Sequence, residues 1–276
     1  MTAWPANGFA DWIGRFDEDS ECLSPQLAQR FAVTLPSAVQ TEGALPLGLQ
    51  WCLAPIAEDY ANLGGDGHPK LGLHLPPVPL PRRMWAGGAL EFFRPFAIGD
   101  HVTRRSTIKD VKRKTGSTGE LAFVTVEHDY STDAGLALRE RQDIVYRDPA
   151  DIGKARAAAP VSAPQDPGVA IETNPVMLFR YSALTFNGHR IHYDAPYARD
   201  VEGYDGLVTH GPLIATLLMN YAQMKLGAPL KQFAFRGQSP AIVGQTLHLH
   251  ADQGADGLTL TATGPAGKII MTAEAR

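Results

Sequence analysis

The segment FRYSALTFNGHRIHYD, residues 179–194, gathers Ser182, Thr185, Asn187, His189, His192 and Asp194 within 16 residues. A second dense segment, GLVTHGPLIATLLMNYA at 206–222, places His210 and Gly211 where an apolar helix is expected to begin. Imidazoles exchange protons near neutral pH. Amides and hydroxyls hold a water or a carbonyl oxygen. The free N–H groups of a helix N-terminus favour developing negative charge. These residue types together suit acid–base chemistry beside a carbonyl, with the oxyanion stabilised in place.

Such side chains need rigid elements to hold them. Two strongly apolar stretches, residues 45–60 and 212–226, read as buried helices, because a helix apolar on all sides cannot face water. Alternating segments read as strands at 101–110, 121–130 and 137–146, and again at 246–251, 258–263 and 268–273. Gly116 and Gly119 mark a turn in the first set, Gly254 and Gly257 in the second. The stretch RPFAIGDHV (94–102) is matched by SPAIVGQTL (239–247), each preceded by an aromatic strand, LEFF at 90–93 and QFAF at 232–235. Helix, aromatic strand, Pro-to-Gly turn and later strands recur in one order, which predicts a duplication. The architecture expected is α+β, a long helix wrapped by an antiparallel sheet in each half. Residues 148–168, rich in Ala, Pro and Asp, read as a linker between halves at 1–147 and 169–276. Residues 63–81, with five prolines and four glycines, read as a surface loop.

Composition narrows the class. The chain has 276 residues, 44% of them hydrophobic, and a formal charge of −4. That charge gives no reason to expect nucleic acid or a membrane surface. The N-terminus lacks the basic and apolar regions of a secretory signal, and no run approaches the length of a membrane span. Cys22 and Cys52 do not make a disulfide framework, so both are expected reduced, in the cytoplasm.

The order of elements and the 184–194 block resemble the MaoC-like, type 2 enoyl-CoA hydratases, whose fold is a double hot-dog. His192 and Asp194 fall on the last His-x-Asp of that family's motif, and Thr209-His210-Gly211-Pro212 resembles its His-Gly segment. A subgroup carries FRYSALTFNGHRIHYD almost intact. It includes mitochondrial-type hydroxyacyl-thioester dehydratases, mesaconyl-C4-CoA (3-methylfumaryl-CoA) hydratases and itaconyl-CoA hydratases. PRRMWAGGALEFFRPFAIGDHVTRRS and LALRERQDIVYRD in the first half resemble it as well. Where the wider family has a catalytic aspartate, this chain has Asn187, and His189 replaces the family asparagine.

The resemblance implies reversible hydration of an α,β-unsaturated acyl-CoA without a cofactor. The specific expectation is citramalyl-CoA formed from itaconyl-CoA or mesaconyl-C4-CoA. His192 is the expected acid/base, Asn187 positions the water, His189 is a second proton-transfer candidate, and the Gly211 N–H is the oxyanion donor. Arg190, Arg82 and Arg83 are candidates to pair with a substrate carboxylate. Asp194 either orients a histidine or caps a turn, and His210 either contacts substrate or braces the start of the helix. His189 and His192 have the spacing of a helical metal pair, but no third ligand is evident, so no metal is expected. Lys112-Arg113-Lys114, Arg104-Arg105, Lys225, Lys231 and Arg236 are further candidates for CoA phosphates. The first half lacks comparable polar density, so one active site per chain is expected. The expected partner is the acyl-CoA thioester, with a homodimer as the candidate assembly. An acyl-carrier-protein dehydratase, a hot-dog thioesterase and a non-catalytic acyl-CoA-binding module are the competing readings.

Overall fold

The computed structural model describes residues 4–116, 119–147 and 164–276. The first half contributes β1 (Phe16–Cys22), β2 (Arg82–Phe92), β3 (His101–Gly116), β4 (Gly119–Thr132) and β5 (Gly135–Arg147). The second contributes β6 (Val169–Glu172), β7 (Gln232–Gly237), β8 (Thr246–Gly254), β9 (Gly257–Thr263) and β10 (Ile269–Ala275). These strands form one sheet in the order β1-β3-β4-β5-β2-β7-β10-β9-β8-β6, with antiparallel pairing throughout. Each half has the same internal order, and the halves meet where β2 runs against β7 from Gly87↔Arg236 to Glu91↔Gln232. The two Pro-to-Gly segments of the sequence occupy the same place in each half, joining β2 to β3 and β7 to β8. This is an α+β double hot-dog.

Among the described residues four α-helices accompany the sheet: α1 (Pro25–Ala32), α2 (Pro175–Leu184), α3 (Ala195–Asp200) and α4 (Gly211–Leu226). Every residue of α4 from Leu213 to Ala222 is buried. Its side chains enter one core with Phe233, Leu249, Leu260 and Met271 of the surrounding strands, removing a large apolar area from water. A smaller core around Val78, Val124, Ile144 and Tyr146 serves the first half. No helix among the described residues is long and apolar enough to cross a membrane.

The expected helix at 45–60 does not form. Leu49–Cys52 is a 3-10 turn, followed by irregular chain up to a second turn at Tyr60–Asn62. Pro46 and Pro55 break the helical hydrogen-bond ladder. Gly48 has φ 94°, and a Cβ there would lie 2.3 Å from Thr216 Oγ1 of α4. Residues 46–54 are largely buried, as the composition required, but as 3-10 and irregular chain laid on α4, whereas Ala57, Asp59 and Tyr60 are exposed. Leu47 N–H donates to Asn220 Oδ1 at 2.9 Å, and Asn220 Nδ2 donates back to Leu47 O at 2.8 Å. Among the described residues the first half therefore has no long helix over its sheet.

The expected surface loop at 63–81 is not a free loop either. Val78 and Leu80 are buried in the smaller core, and the 65–68 turn packs on the polar block of the second half. Most of the expected linker, residues 148–163, lies outside the described residues. Its last part is anchored: Asp166 accepts hydrogen bonds from Tyr221 Oη at 2.6 Å and Lys225 Nζ at 2.8 Å.

Candidate active site

The polar block begins as α2 ends. Phe186 takes the left-handed conformation, φ 51°, which is uncommon for an aromatic residue and characteristic of sites held by their surroundings. Asn187 then closes a local turn, its Oδ1 accepting from His189 N–H at 2.9 Å. The free group of Asn187 is thus its amide NH₂, a donor. A 3-10 turn, Arg190–His192, follows and leads to α3.

His192 is 7% exposed. Its Nδ1 lies 2.7 Å from Val208 O. A carbonyl has no proton to give, so Nδ1 carries the hydrogen and Nε2 holds the lone pair. The His192 ring stacks on His210 at 3.6 Å between centroids. His210 is fully buried and shares a 2.8 Å hydrogen bond with Ser182 Oγ. His210 therefore braces His192 from beneath. Gly211 opens α4, and its N–H has no hydrogen-bond partner among the described residues. Trp85 lies beside it, 3.5 Å from where a Cβ would stand.

The first half contributes residues that the sequence had not singled out. His68 lies against His189, with ring centroids 4.3 Å apart, and His189 is 5.4 Å from His192. Asp66 Oδ2 accepts from His68 Nδ1 at 3.0 Å. The loop is fastened to the block by its backbone. Arg190 N–H donates to Asp66 O at 2.9 Å, and Arg190 Nη1 donates to Gly65 O at 2.9 Å. A Cβ on Gly67 would fall 1.9 Å from Gly188 O, so this approach requires glycine. The sequence signal was an acid-x-His pair, Asp66-Gly67-His68, inside a glycine-rich segment.

Asp66, His68 and His189 each offer a ligand atom, all within 4.8 Å of one another. The residues that the fold groups are therefore not the His189/His192 pair that the spacing suggested. The close Asp66–His68 hydrogen bond instead has the form of an oriented imidazole.

Burial drives the His192 ring down to about 4, with the Val208 carbonyl opposing and His68 adding to the shift. Burial likewise lowers His68, His189 and His210. All four rings are neutral at pH 7. Burial works to raise the Asp66 carboxyl, but hydrogen bonds from the His68 side chain and backbone oppose it, and Asp66 is held low and ionised.

These shifts make a prediction for stability. The unfolded chain binds protons on His192 near pH 6.5, and the fold refuses them until about 4. His128, pushed by burial to about 3, behaves the same way. Stability present above pH 6.5 is therefore lost as pH falls from 6.5 towards 4, by roughly 3 kcal/mol for each such ring. Glu140 acts oppositely, since burial raises it to about 7 and its contribution falls as pH rises from the usual carboxylate range through 7. The histidines outnumber it. Thermal melts followed by circular dichroism should show Tm falling steeply between pH 6.5 and 4.5, and a flat profile would contradict the assignment.

A cavity of about 700 Å³ adjoins the cluster. Asn187, Gly188, His68, Arg83 and Pro212 line it beside the block, and Tyr60, Phe179, Phe186 and Tyr193 add aromatic surface. Of the three arginine candidates only Arg83 lines this cavity. Arg82 is buried against Glu202, with Nε and Nη2 at 3.1 and 3.0 Å from Oε2. Arg190 grips Asp194 through Nε and Nη2, at 3.0 and 2.7 Å, and lies over the Tyr197 ring. Asp194 also caps α3, accepting from Tyr197 N–H at 3.1 Å. Arg82, Arg190 and Asp194 thus hold the fold around the site, because each charge already has a protein partner. Several CoA-phosphate candidates are paired too: Arg105 with Glu18, Lys112 with Asp110, Arg113 with Glu120 and Lys225 with Asp166.

Residues 48–243 match the family model of hydroxyacyl-thioester dehydratase type 2. The chain is 40% identical over 268 residues, 95% of both chains, to the mesaconyl-C(4)-CoA hydratase of Chloroflexus aurantiacus. It is 30% identical over 232 residues to the mitochondrial hydroxyacyl-thioester dehydratase type 2 of Schizosaccharomyces pombe, covering 75% of this chain and 77% of that one. A MaoC-like dehydratase from Phytophthora capsici shares the fold, with a TM-score of 0.72 at 16% identity over 96% of this chain and 97% of its own. The chain belongs to the hydroxyacyl-thioester dehydratase type 2 family, within the MaoC-like hydratases, and is a hydro-lyase.

Proposed function

We propose that the protein hydrates mesaconyl-C4-CoA reversibly to citramalyl-CoA. The observation that carries this reading is a set of buried, neutral imidazoles packed around His192 beside an unpartnered N–H at the start of α4, with His68, Asn187 and Pro212 of the same cluster lining the adjoining cavity. The 40% identical relative supports the acyl group. In mesaconyl-C4-CoA the double bond is conjugated with the thioester. Water adding to the β-carbon therefore pushes charge onto the thioester oxygen, which Gly211 N–H receives. Itaconyl-CoA has its double bond one carbon further from the thioester and gains less from that donor.

In this mechanism His192 Nε2 takes a proton from water as the hydroxyl joins the β-carbon. The same proton then goes to the α-carbon as the enolate collapses, leaving the enzyme unchanged. His68, oriented by Asp66, and the Asn187 amide hold the water. The carboxylate absent at position 187 is thus supplied by the other half of the chain, and His189 packs between the two working imidazoles. Dehydration of a 3-hydroxyacyl thioester is the same chemistry in reverse, and the S. pombe relative favours it as the second reading. Two folding units, 1–147 and 169–276, with the site in the second completed by the first, remain our proposed organisation. Free Cys22 and Cys52 suit a reducing compartment, and we assign the protein to the cytoplasm.

The test is to incubate the purified protein with mesaconyl-C4-CoA, itaconyl-CoA and crotonyl-CoA while following enoyl absorbance and free thiol. Absorbance should fall fastest with mesaconyl-C4-CoA, and no thiol should appear. Thiol release would identify a thioesterase, and binding without change would identify a binding module.

A further inference from the structure

The cavity extends from the catalytic block across the face of β3, β4 and β5, where the first half lacks a long helix. An acyl pocket for alkyl chains would be apolar there. This wall instead carries Arg104, His128, Tyr130, Glu140 and Gln142. The residues are neighbours by sheet register: Arg104 pairs with Tyr130, and His128 with Glu140. Glu140 is fully buried, and Trp51 Nε1–H donates to both its oxygens at 3.0 Å. Trp51 meets Trp85 edge-on at 5.3 Å, and Trp85 lies beside Gly211. Two indoles therefore span from the oxyanion donor to this polar wall.

Arg104 is left incomplete. Its Nε is buried without a hydrogen-bond partner, and it makes no ion pair with Glu140 or any other acid among the described residues. A buried guanidinium donor without an acceptor costs stability and calls for an anion. Burial pushes the Glu140 carboxyl up to about 7, so near neutrality it holds a proton part of the time and leaves the Arg104 charge uncompensated. A guanidinium and a carboxylate make a two-pronged match.

We propose that Arg104 is the specificity residue of this site, binding a free carboxylate on the acyl group so that the enzyme selects thioesters of dicarboxylic acids over plain enoyl thioesters. This rests on the hydratase reading and deepens it. Two other cations line the cavity: Lys70, whose Nζ donates to Ala61 O at 2.9 Å, and Arg83, which lies towards His68, since its charge acts on that ring and on Tyr146. Arg83 is the competing carboxylate partner.

The experiment compares kcat/KM for mesaconyl-C4-CoA and crotonyl-CoA in the unmodified enzyme, Arg104→Met, Arg104→Lys and Arg83→Met. The ratio should fall at least about a hundredfold in Arg104→Met, as expected for loss of a charge-assisted pair, and recover partly in Arg104→Lys. If Arg104→Met does not fold, the unmodified enzyme still decides. Methylsuccinyl-CoA should inhibit it at least about tenfold more tightly than butyryl-CoA, which lacks the carboxylate. An unchanged ratio in Arg104→Met, a collapse of the ratio in Arg83→Met alone, or equal inhibition by the two saturated thioesters overturns the proposal. Enzyme that hydrates no thioester at all would refute the hydratase reading instead.

Discussion

Replacing His192 by alanine is expected to lower kcat for hydration about a thousandfold, within the range that general acid–base groups contribute. The ring is prepared for the task by its neighbours. Val208 O fixes the hydrogen on Nδ1, and His210 holds the ring plane from below. Burial lowers its affinity for a proton to about 4. That makes His192 a weak base but, once protonated, a strong acid, which suits delivery of a proton to carbon. KM should change little, because the loss falls on the transition state rather than on binding. His192→Gln keeps a donor near Val208 but has no basic nitrogen, so it should be equally impaired. Steady-state kinetics on both variants checks this, and retention of activity within tenfold of the unmodified enzyme would remove His192 from the mechanism.

Asp66→Asn should reduce kcat about a hundredfold with KM and Tm nearly unchanged. The substitution keeps the Asp66 backbone carbonyl that receives Arg190 N–H, so the loop stays docked. What it removes is the carboxylate that orients His68 and stabilises charge on that ring. A purely structural role would appear as a lowered Tm with little effect on kcat. The pH profile of kcat should also move, because the His68 ring would lose its anionic partner. Asp66→Glu should restore part of the rate if the longer side chain still reaches Nδ1.

The working parts differ in how far they could be read from the chain. His192, Asn187, Gly211 and His210 lie within 25 residues of one another, although the stretch that carries His210 is itself held against residues 241–243. The strands of both halves were legible by alternation, and the buried run of α4 by its continuous apolarity. The edge strands β1 and β6 were not. β1 is mostly exposed and reads as a polar stretch, FDEDSEC, and β6 has only four residues. The apolar run at 45–60 was read as a buried helix; it is buried only as far as Ala54, and it is not a helix. Apolarity reports burial, whereas Pro46, Pro55 and the contact of Gly48 with Thr216 decide the backbone.

What the sequence by itself determined is the duplicated strand order, the polar block at 179–194 and the kind of chemistry, since each depends on residues close in the chain. Only the tertiary structure brought Asp66 and His68 to the polar block and left Arg83 and Arg104 on the cavity wall. Asp66 stands 126 positions before His192, and it arrives there because two glycines let two backbones touch. Arg82 and Arg190 had equal claims on the page of the sequence and lost them to Glu202 and Asp194. Whether a charge is free depends on which partners the fold brings within hydrogen-bond reach, and those partners lie far apart along the chain.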